Sequence, residues 1–234
     1  MFNKAYGYML RHPGTRRGYW GCWYYQGRYL QVLERLSRFC QKDKITVLEL
    51  GCGSGVYASH LKEIGCGCRY VGCDIEGKSL KSAYRGKNSD YVLCDIHQLP
   101  FVEECANVVL CSEVLEHVSH PYGTLADICE LHAETLILTF PEERPLLLFK
   151  DRHPEHISAI DIEKIVDVLI SKNLKIVLCS QIFSSFIPCG LLEFLRVPRN
   201  IITQSVVSSV DRLLRRIIPS SLVPHKTMLV EATR

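Results

Sequence analysis

Long apolar runs are absent from this 234-residue chain. No stretch approaches the roughly 18 consecutive apolar residues that a membrane-crossing helix requires. The opening Met1-Phe2-Asn3-Lys4-Ala5-Tyr6 lacks the apolar core of a secretory leader. No internal repeat, low-complexity tract or linker interrupts the sequence, which points to one domain, and the length suffices for a full hydrophobic core. Zinc-site spacing is missing as well. Cys66-x-Cys68 followed by Cys73 is not a C-x2-C pair, and no second pair stands at a zinc-site distance, so no metal is expected. The twelve cysteines are too scattered for a disulfide scaffold. Cys73, Cys94, Cys111 and Cys179 fall inside predicted strands, where a free thiol packs as a small hydrophobe, and a reducing cytoplasm is the expected compartment.

Net charge is small, +3, but unevenly spread. Residues 1–44 hold nine Lys/Arg against two acids, residues 183–234 seven against three, and the centre twelve against twenty. Basic ends around an acidic centre suggest an anionic partner, while solvated surface charge accounts for the same pattern without one.

What is present is a strong alternation of elements. Tyr29, Val32, Leu33, Leu36 and Phe39 recur at helical spacing, with Glu34, Arg35 and Arg38 off that face. Strands and helices then alternate through residue 182, the pattern of a parallel sheet covered on both faces. Leu136 to Phe140 reads as a strand stopped by Pro141. Asp161 can cap a helix from Ile162 to Ser171. Leu174 to Cys179 and Thr227 to Ala232 read as the last two strands. Between them Val206 to Ile218 forms an amphipathic basic helix, which can cover a site, form a dimer face or lie on an anionic membrane.

The most informative stretch is Val47-Leu48-Glu49-Leu50-Gly51-Cys52-Gly53-Ser54-Gly55. A short apolar strand ends in an acid and three alternating glycines, and an amphipathic helix follows from Val56. Glycine there permits positive φ and leaves no Cβ in a ligand's path. A strand–loop–helix turn of this kind binds ligands at the carboxyl edge of an α/β sheet. The nicotinamide fingerprint G-x-G-x-x-G/A does not fit, because Val56 stands where it wants Gly or Ala. Further strands end in acids, Arg69 to Asp74 and Asp90 to Ile96, and Ala106 to Cys111 runs into Ser112-Glu113-Val114-Leu115-Glu116-His117-Val118.

Taken together, the Glu49-x-Gly51-x-Gly53-x-Gly55 run, Asp74, Cys94-Asp95-Ile96, Leu99-Pro100-Phe101 and Ser112 to Val118 resemble the successive motifs of class I S-adenosylmethionine-dependent methyltransferases. The small-molecule branch, which includes ubiquinone- and menaquinone-pathway enzymes, is the most similar. The resemblance covers roughly residues 45–182. It implies a Rossmann-like α/β fold with a seven-stranded sheet ordered 3-2-1-4-5-7-6, strand 7 antiparallel and helices on both faces. It implies one domain over 1–234: a basic, aromatic helical cap (1–44), the cofactor core (45–182) and a helical insertion (183–226).

The resemblance also implies S-adenosylmethionine as cofactor and places residues around it. Asp74, with Ile75 beside it, holds the ribose hydroxyls; Asp95 and Ile96 hold the adenine. Gly51, Cys52, Gly53 and Gly55 approach the methionine portion, and Glu49 orients the loop or the ammonium. Cys111 and Ser112 lie near the sulfonium. Asp74 and Asp95 also fit plain helix caps. For proton removal from an acceptor, His117, His153 and His156 are the candidates, although a Glu-His pair such as Glu116-His117 is more often structural. The Asp-Asp-Asn set of catechol-type enzymes is not visible. The Asp/Asn-Pro-Pro-aromatic signature of amino-methylating nucleic-acid enzymes is replaced by Cys111-Ser112-Glu113-Val114. The expected function is methyl transfer to a small-molecule, lipid-precursor or glycan-type acceptor. The alternative is a catalytically silent cofactor-binding regulatory module. Expected partners are an anionic small molecule and a membrane surface met through 206–218, rather than nucleic acid.

Overall fold

The structure is a computed structural model that describes residues 29, 31–41, 44–142, 156–185, 210, 213, 217 and 225–234. Its elements follow the apolar pattern. Helix α1 covers 31–37, with Tyr29 also helical, and continues into a 3-10 turn at Arg38–Gln41. Then come β1 (Thr46–Leu50), α2 (Val56–Glu63), β2 (Arg69–Asp74), α3 (Gly77–Lys81), β3 (Ser89–Leu93) and β4 (Val108–Ser112). A 3-10 turn at Leu115–His117 precedes α4 (Pro121–Cys129), β5 (Thr135–Glu142), α5 (Ile162–Ser171), β6 (Lys175–Ser185) and β7 (His225–Thr233).

The seven strands are ordered β3-β2-β1-β4-β5-β7-β6, with β7 antiparallel to both neighbours and the other pairs parallel. This is the expected α/β arrangement. Side chains alternate across the strands, so β1 feeds two separate cores. Leu48 and Leu50 join Val109, Leu136 and Leu138 beneath α4 and α5. Val47 points the other way, with Val108, Leu110 and Ile137, to meet Tyr29, Val32, Leu33, Leu36, Tyr57 and Leu61. All five apolar positions of the first helical pattern are buried.

Glu231 on β7 ties the cap to the sheet. Its buried carboxylate lies 3.6 Å from Arg35 and 3.5 Å from Arg38. Asp161 caps α5 as expected, accepting the Glu163 N–H at 2.9 Å.

Two readings are corrected. Pro141 does not stop β5, which runs to Glu142 and pairs Pro141 with Thr227 of β7. The pairing of β4 with β5 ends at Thr139, so the missing proline N–H interrupts no ladder on that side. Nor is Cys66 a packing thiol: it forms a disulfide with Cys40, although the two are 26 residues apart in sequence. Helix α1 lies over α2 and brings them together. Cys73, Cys94, Cys111 and Cys179 are free thiols, with Cys73 and Cys111 buried; Cys94 falls just after β3 rather than within a strand.

Candidate cofactor and acceptor site

The loop between β1 and α2 takes the backbone that its glycines permit. Gly51, Gly53 and Gly55 all have positive φ, at 71°, 53° and 68°. Two are also packed where a side chain cannot fit. A Cβ on Gly51 would overlap the Val114 side chain, and one on Gly55 the Tyr91 hydroxyl. A Cβ on Gly53 would meet nothing within 4 Å, so the middle of the loop faces open space.

Asp74 closes the other side of this space from the tip of β2. One carboxylate oxygen accepts the Gly53 N–H at 2.7 Å, and the other accepts the Glu76 N–H at 2.8 Å. The acid therefore fixes the glycine loop and the start of α3 together, a bridging role that spacing alone does not show. Each oxygen keeps capacity for a further donor. Beside it the apolar Ile75 and Leu93 are exposed by 71% and 65%, unusual for such side chains on strand tips. Asp95 follows β3 and is exposed. The backbone N–H of His97 at 2.9 Å and the His97 ring at 2.8 Å hold its carboxyl below the ordinary range. Ile96, between them, is half-buried. Open space at Gly53, the Asp74 and Asp95 carboxylates and the exposed Ile75 and Leu93 thus gather at the carboxyl edge of the sheet.

Beneath the loop, Glu49 is buried and accepts a hydrogen bond from the Tyr70 hydroxyl. Burial pushes its pKa up to about 8, against the opposing pull of that hydrogen bond, and Asp74 adds to the rise. The side chains of Cys52 and Cys111 face the core. Cys111 lies in the core cluster beneath α4, and Cys52 in the one beneath α1 and α2. Strand alternation turns the Cys111 thiol inward, and burial raises its pKa strongly. Ser112, the next residue, reaches the half-buried edge, 2.8 Å from the Thr139 hydroxyl and 3.5 Å from that of Tyr57.

The turn after β4 carries the acceptor-side candidates. Val114 packs on Gly51, and the His117 N–H donates to Val114 O at 2.9 Å. The N–H groups of Ile157 and Ser158 both donate to Glu116 O, at 2.9 and 3.0 Å, docking the segment before α5 onto this turn. His117 and His156, 39 positions apart, consequently meet edge to face with ring centres 5.0 Å apart. The buried Glu116 carboxylate lies 3.9 Å from the His117 ring. Glu116, His117 and His156 offer ligand atoms within 4.8 Å of one another, a set that can hold a metal ion and that spacing did not reveal. His153 lies outside the described residues. A separate cleft at the opposite edge, about 400 Å³, is lined by Lys44, Arg69, Lys87 and Asp90; Arg69 and Asp90 pair at 3.1 Å.

Residues 48–133 match the family model described as a methyltransferase domain. Over this range, which includes the glycine loop and the acids at the tips of β2 and β3, the chain is similar to that domain. A ubiquinone biosynthesis O-methyltransferase of Nitrosospira multiformis is 32% identical over 44% of this chain and 43% of its own length. A probable tRNA methyltransferase 9B of Homo sapiens is 26% identical over 69% of this chain and 33% of its own. The chain thus spans less than half the length of these two curated relatives. Among solved structures, the magnesium protoporphyrin IX methyltransferase of Synechocystis superposes with a TM-score of 0.64 at 15% identity, covering 100% of this chain and 94% of that one. The matched range contains the glycine loop, Asp74 and Asp95.

Proposed function

We propose that this chain transfers the methyl group of S-adenosylmethionine to a small-molecule acceptor, with lipid precursors as the favoured class. The observation that carries the reading is the glycine loop. Its middle residue opens onto free space, while Asp74, held 2.7 Å from that residue's N–H, keeps capacity for further donors. Those residues fit the cofactor: Asp74 for the ribose hydroxyls, Ile75 and Leu93 for the flat face of the base, and Asp95 with Ile96 for its edge. Gly51, Gly53 and Gly55 admit the methionine portion close to the backbone, with Glu49 beneath them.

The cofactor supplies an already activated methyl group, so the protein's task is to bind, orient and exclude water. The turn from Glu113 to His117 forms the wall between the loop and the acceptor side. There His117 and His156, backed by the Glu116 carboxylate, are suited to take a proton from an acceptor hydroxyl. The relative named for ubiquinone biosynthesis supports a small aromatic or lipid-precursor acceptor. The basic terminal segments support an anionic one.

Calorimetric titration with S-adenosylhomocysteine and with NADH tests the cofactor. Micromolar or tighter binding of the first and none of the second is expected; the reverse overturns the reading. Transfer of a labelled methyl group to polyprenylated phenols, with and without chelator, then tests catalysis and any metal requirement at Glu116, His117 and His156. Tight binding without transfer to any acceptor leaves the silent-module alternative.

A further inference from the structure

The chain between β6 and β7 holds exposed apolar side chains that the glycine loop and the strand-tip acids do not account for. Strand β6 runs parallel to β5 and ends at Ser185, which pairs with His225 at the start of β7. Residues 186–224 therefore leave and rejoin the sheet at its carboxyl edge, the edge that holds the glycine loop. Within them Val210, Leu213 and Ile217 are helical, and all three expose apolar side chains, by 43%, 56% and 69%. Spacings of three and four place them on one helix face. Around them the sequence carries Arg212, Arg215 and Arg216 against the single acid Asp211. By sequence spacing alone, at 100° per residue, positions 212, 215 and 216 are out of phase with 210, 213 and 217.

Three exposed apolar side chains on one helix face, in a stretch whose sequence carries three arginines, match the composition of a helix that lies in a lipid interface. Its apolar side enters the acyl boundary, and its cations meet anionic headgroups. Among the described residues no helix is long and apolar enough to cross a membrane, so the contact is peripheral. We propose that the 206–218 segment docks this protein on an anionic phospholipid bilayer, turning the carboxyl edge of the sheet, and the crevice on it, toward the lipid. A lipid-soluble acceptor then reaches the crevice without crossing water. The docking itself stands independently of the proposed methyl transfer.

Sedimentation of the full chain with phosphatidylcholine vesicles, with and without phosphatidylglycerol, tests this without reading methyl transfer. Binding is expected only to the anionic vesicles. Replacing Arg212, Arg215 and Arg216 by Gln should weaken it about fivefold per residue, roughly a hundredfold together. Leu213→Ser with Ile217→Ser should weaken it roughly tenfold per side chain while far-UV dichroism and the melting temperature stay at wild-type values. No binding to anionic vesicles, equal binding to neutral ones, or binding that survives both variants overturns the proposal. So does a dimer, seen by sedimentation equilibrium, that the Ser variants dissolve in the absence of vesicle binding; the face is then a subunit contact. Should a variant not fold, the comparison of anionic with neutral vesicles still decides.

Discussion

At the scale of single residues, the three loop glycines have separable duties. Gly51 and Gly55 combine positive φ with a neighbour occupying the Cβ position, whereas Gly53 has positive φ and open space. Left-handed backbone costs a non-glycine residue roughly 1–2 kcal/mol, and overpacking adds about 1–3 kcal/mol. Gly51→Ala should therefore lower the melting temperature by roughly 5–15 °C at about 2–4 °C per kcal/mol. Gly53→Ala should lower it by roughly half as much or less, yet weaken S-adenosylhomocysteine binding at least tenfold. Equal melting temperatures for the two variants, measured by calorimetry, would contradict the packing difference. Glu49 gives a pH prediction of definite sign. Its pKa is raised from 4.5 to about 8 by burial, so the folded state holds a proton that the unfolded chain releases. Stability contributed at this site is full below about pH 4.5 and falls as pH rises toward about 8, then stays level. Glu49→Gln should flatten that fall and be more stable than wild type at alkaline pH, by an amount of order a few kcal/mol. Parallel melting curves across the window would remove the buried acid from the explanation. The residue types at the crevice were legible in the sequence because spacing fixes which residues follow each strand. Whether a thiol points inward was not, since Cys111 and Ser112 are neighbours on opposite sides of a strand.

At the scale of elements, the cap is held by chemistry that periodicity does not display. The apolar stripe from Tyr29 to Phe39 announced a helix and its buried face. Its partner did not follow from the pattern, because contact with α2 and β7 is a tertiary matter. The Tyr29 hydroxyl donates to Val56 O at 2.8 Å, and its ring stacks on Tyr57 at 4.6 Å, which binds the cap to the first turn of α2. At the far end, the Cys40–Cys66 disulfide joins the 3-10 turn to the segment just after α2. Closing such a loop contributes about 2–4 kcal/mol. Reductant or Cys40→Ser should lower the melting temperature by roughly 4–16 °C, and reductant should do nothing further to the serine variant. An unchanged melting temperature on reduction would mean that the cap is held by its apolar face alone. The same reasoning explains the histidines. His117 and His156 carry no shared sequence pattern; the pair exists because the Ile157 and Ser158 amides fasten onto Glu116 O. His117→Asn together with His156→Asn should cut kcat by roughly a hundredfold or more while leaving S-adenosylhomocysteine affinity unchanged. A kcat that stays at the wild-type value would return the cluster to a structural role.

At the scale of the whole molecule, the sheet order followed from the succession of motifs, and the charge distribution from a count of residues. What unites them is the carboxyl edge. The acidic centre supplies the strand tips that face the crevice, and the basic segment 186–224 departs from and returns to that same edge. If the acceptor is anionic, as proposed, the net positive charge that the sequence carries between β6 and β7 would raise its local concentration and accelerate its encounter with the site. Such steering acts over distances that salt shortens, from a Debye length of about 30 Å at 0.01 M to about 3 Å at 1 M. With an anionic acceptor, kcat/KM should fall roughly tenfold or more between those limits, whereas kcat at saturation should hold. A neutral acceptor of the same shape should show a flat profile, because it feels no field to be screened. If both acceptors lose rate in parallel, salt is acting on the fold or on the cofactor, and the basic segment takes no part in acceptor capture. If only the anionic acceptor loses rate, and the loss disappears when Arg212, Arg215 and Arg216 are neutralised, these three side chains guide the substrate.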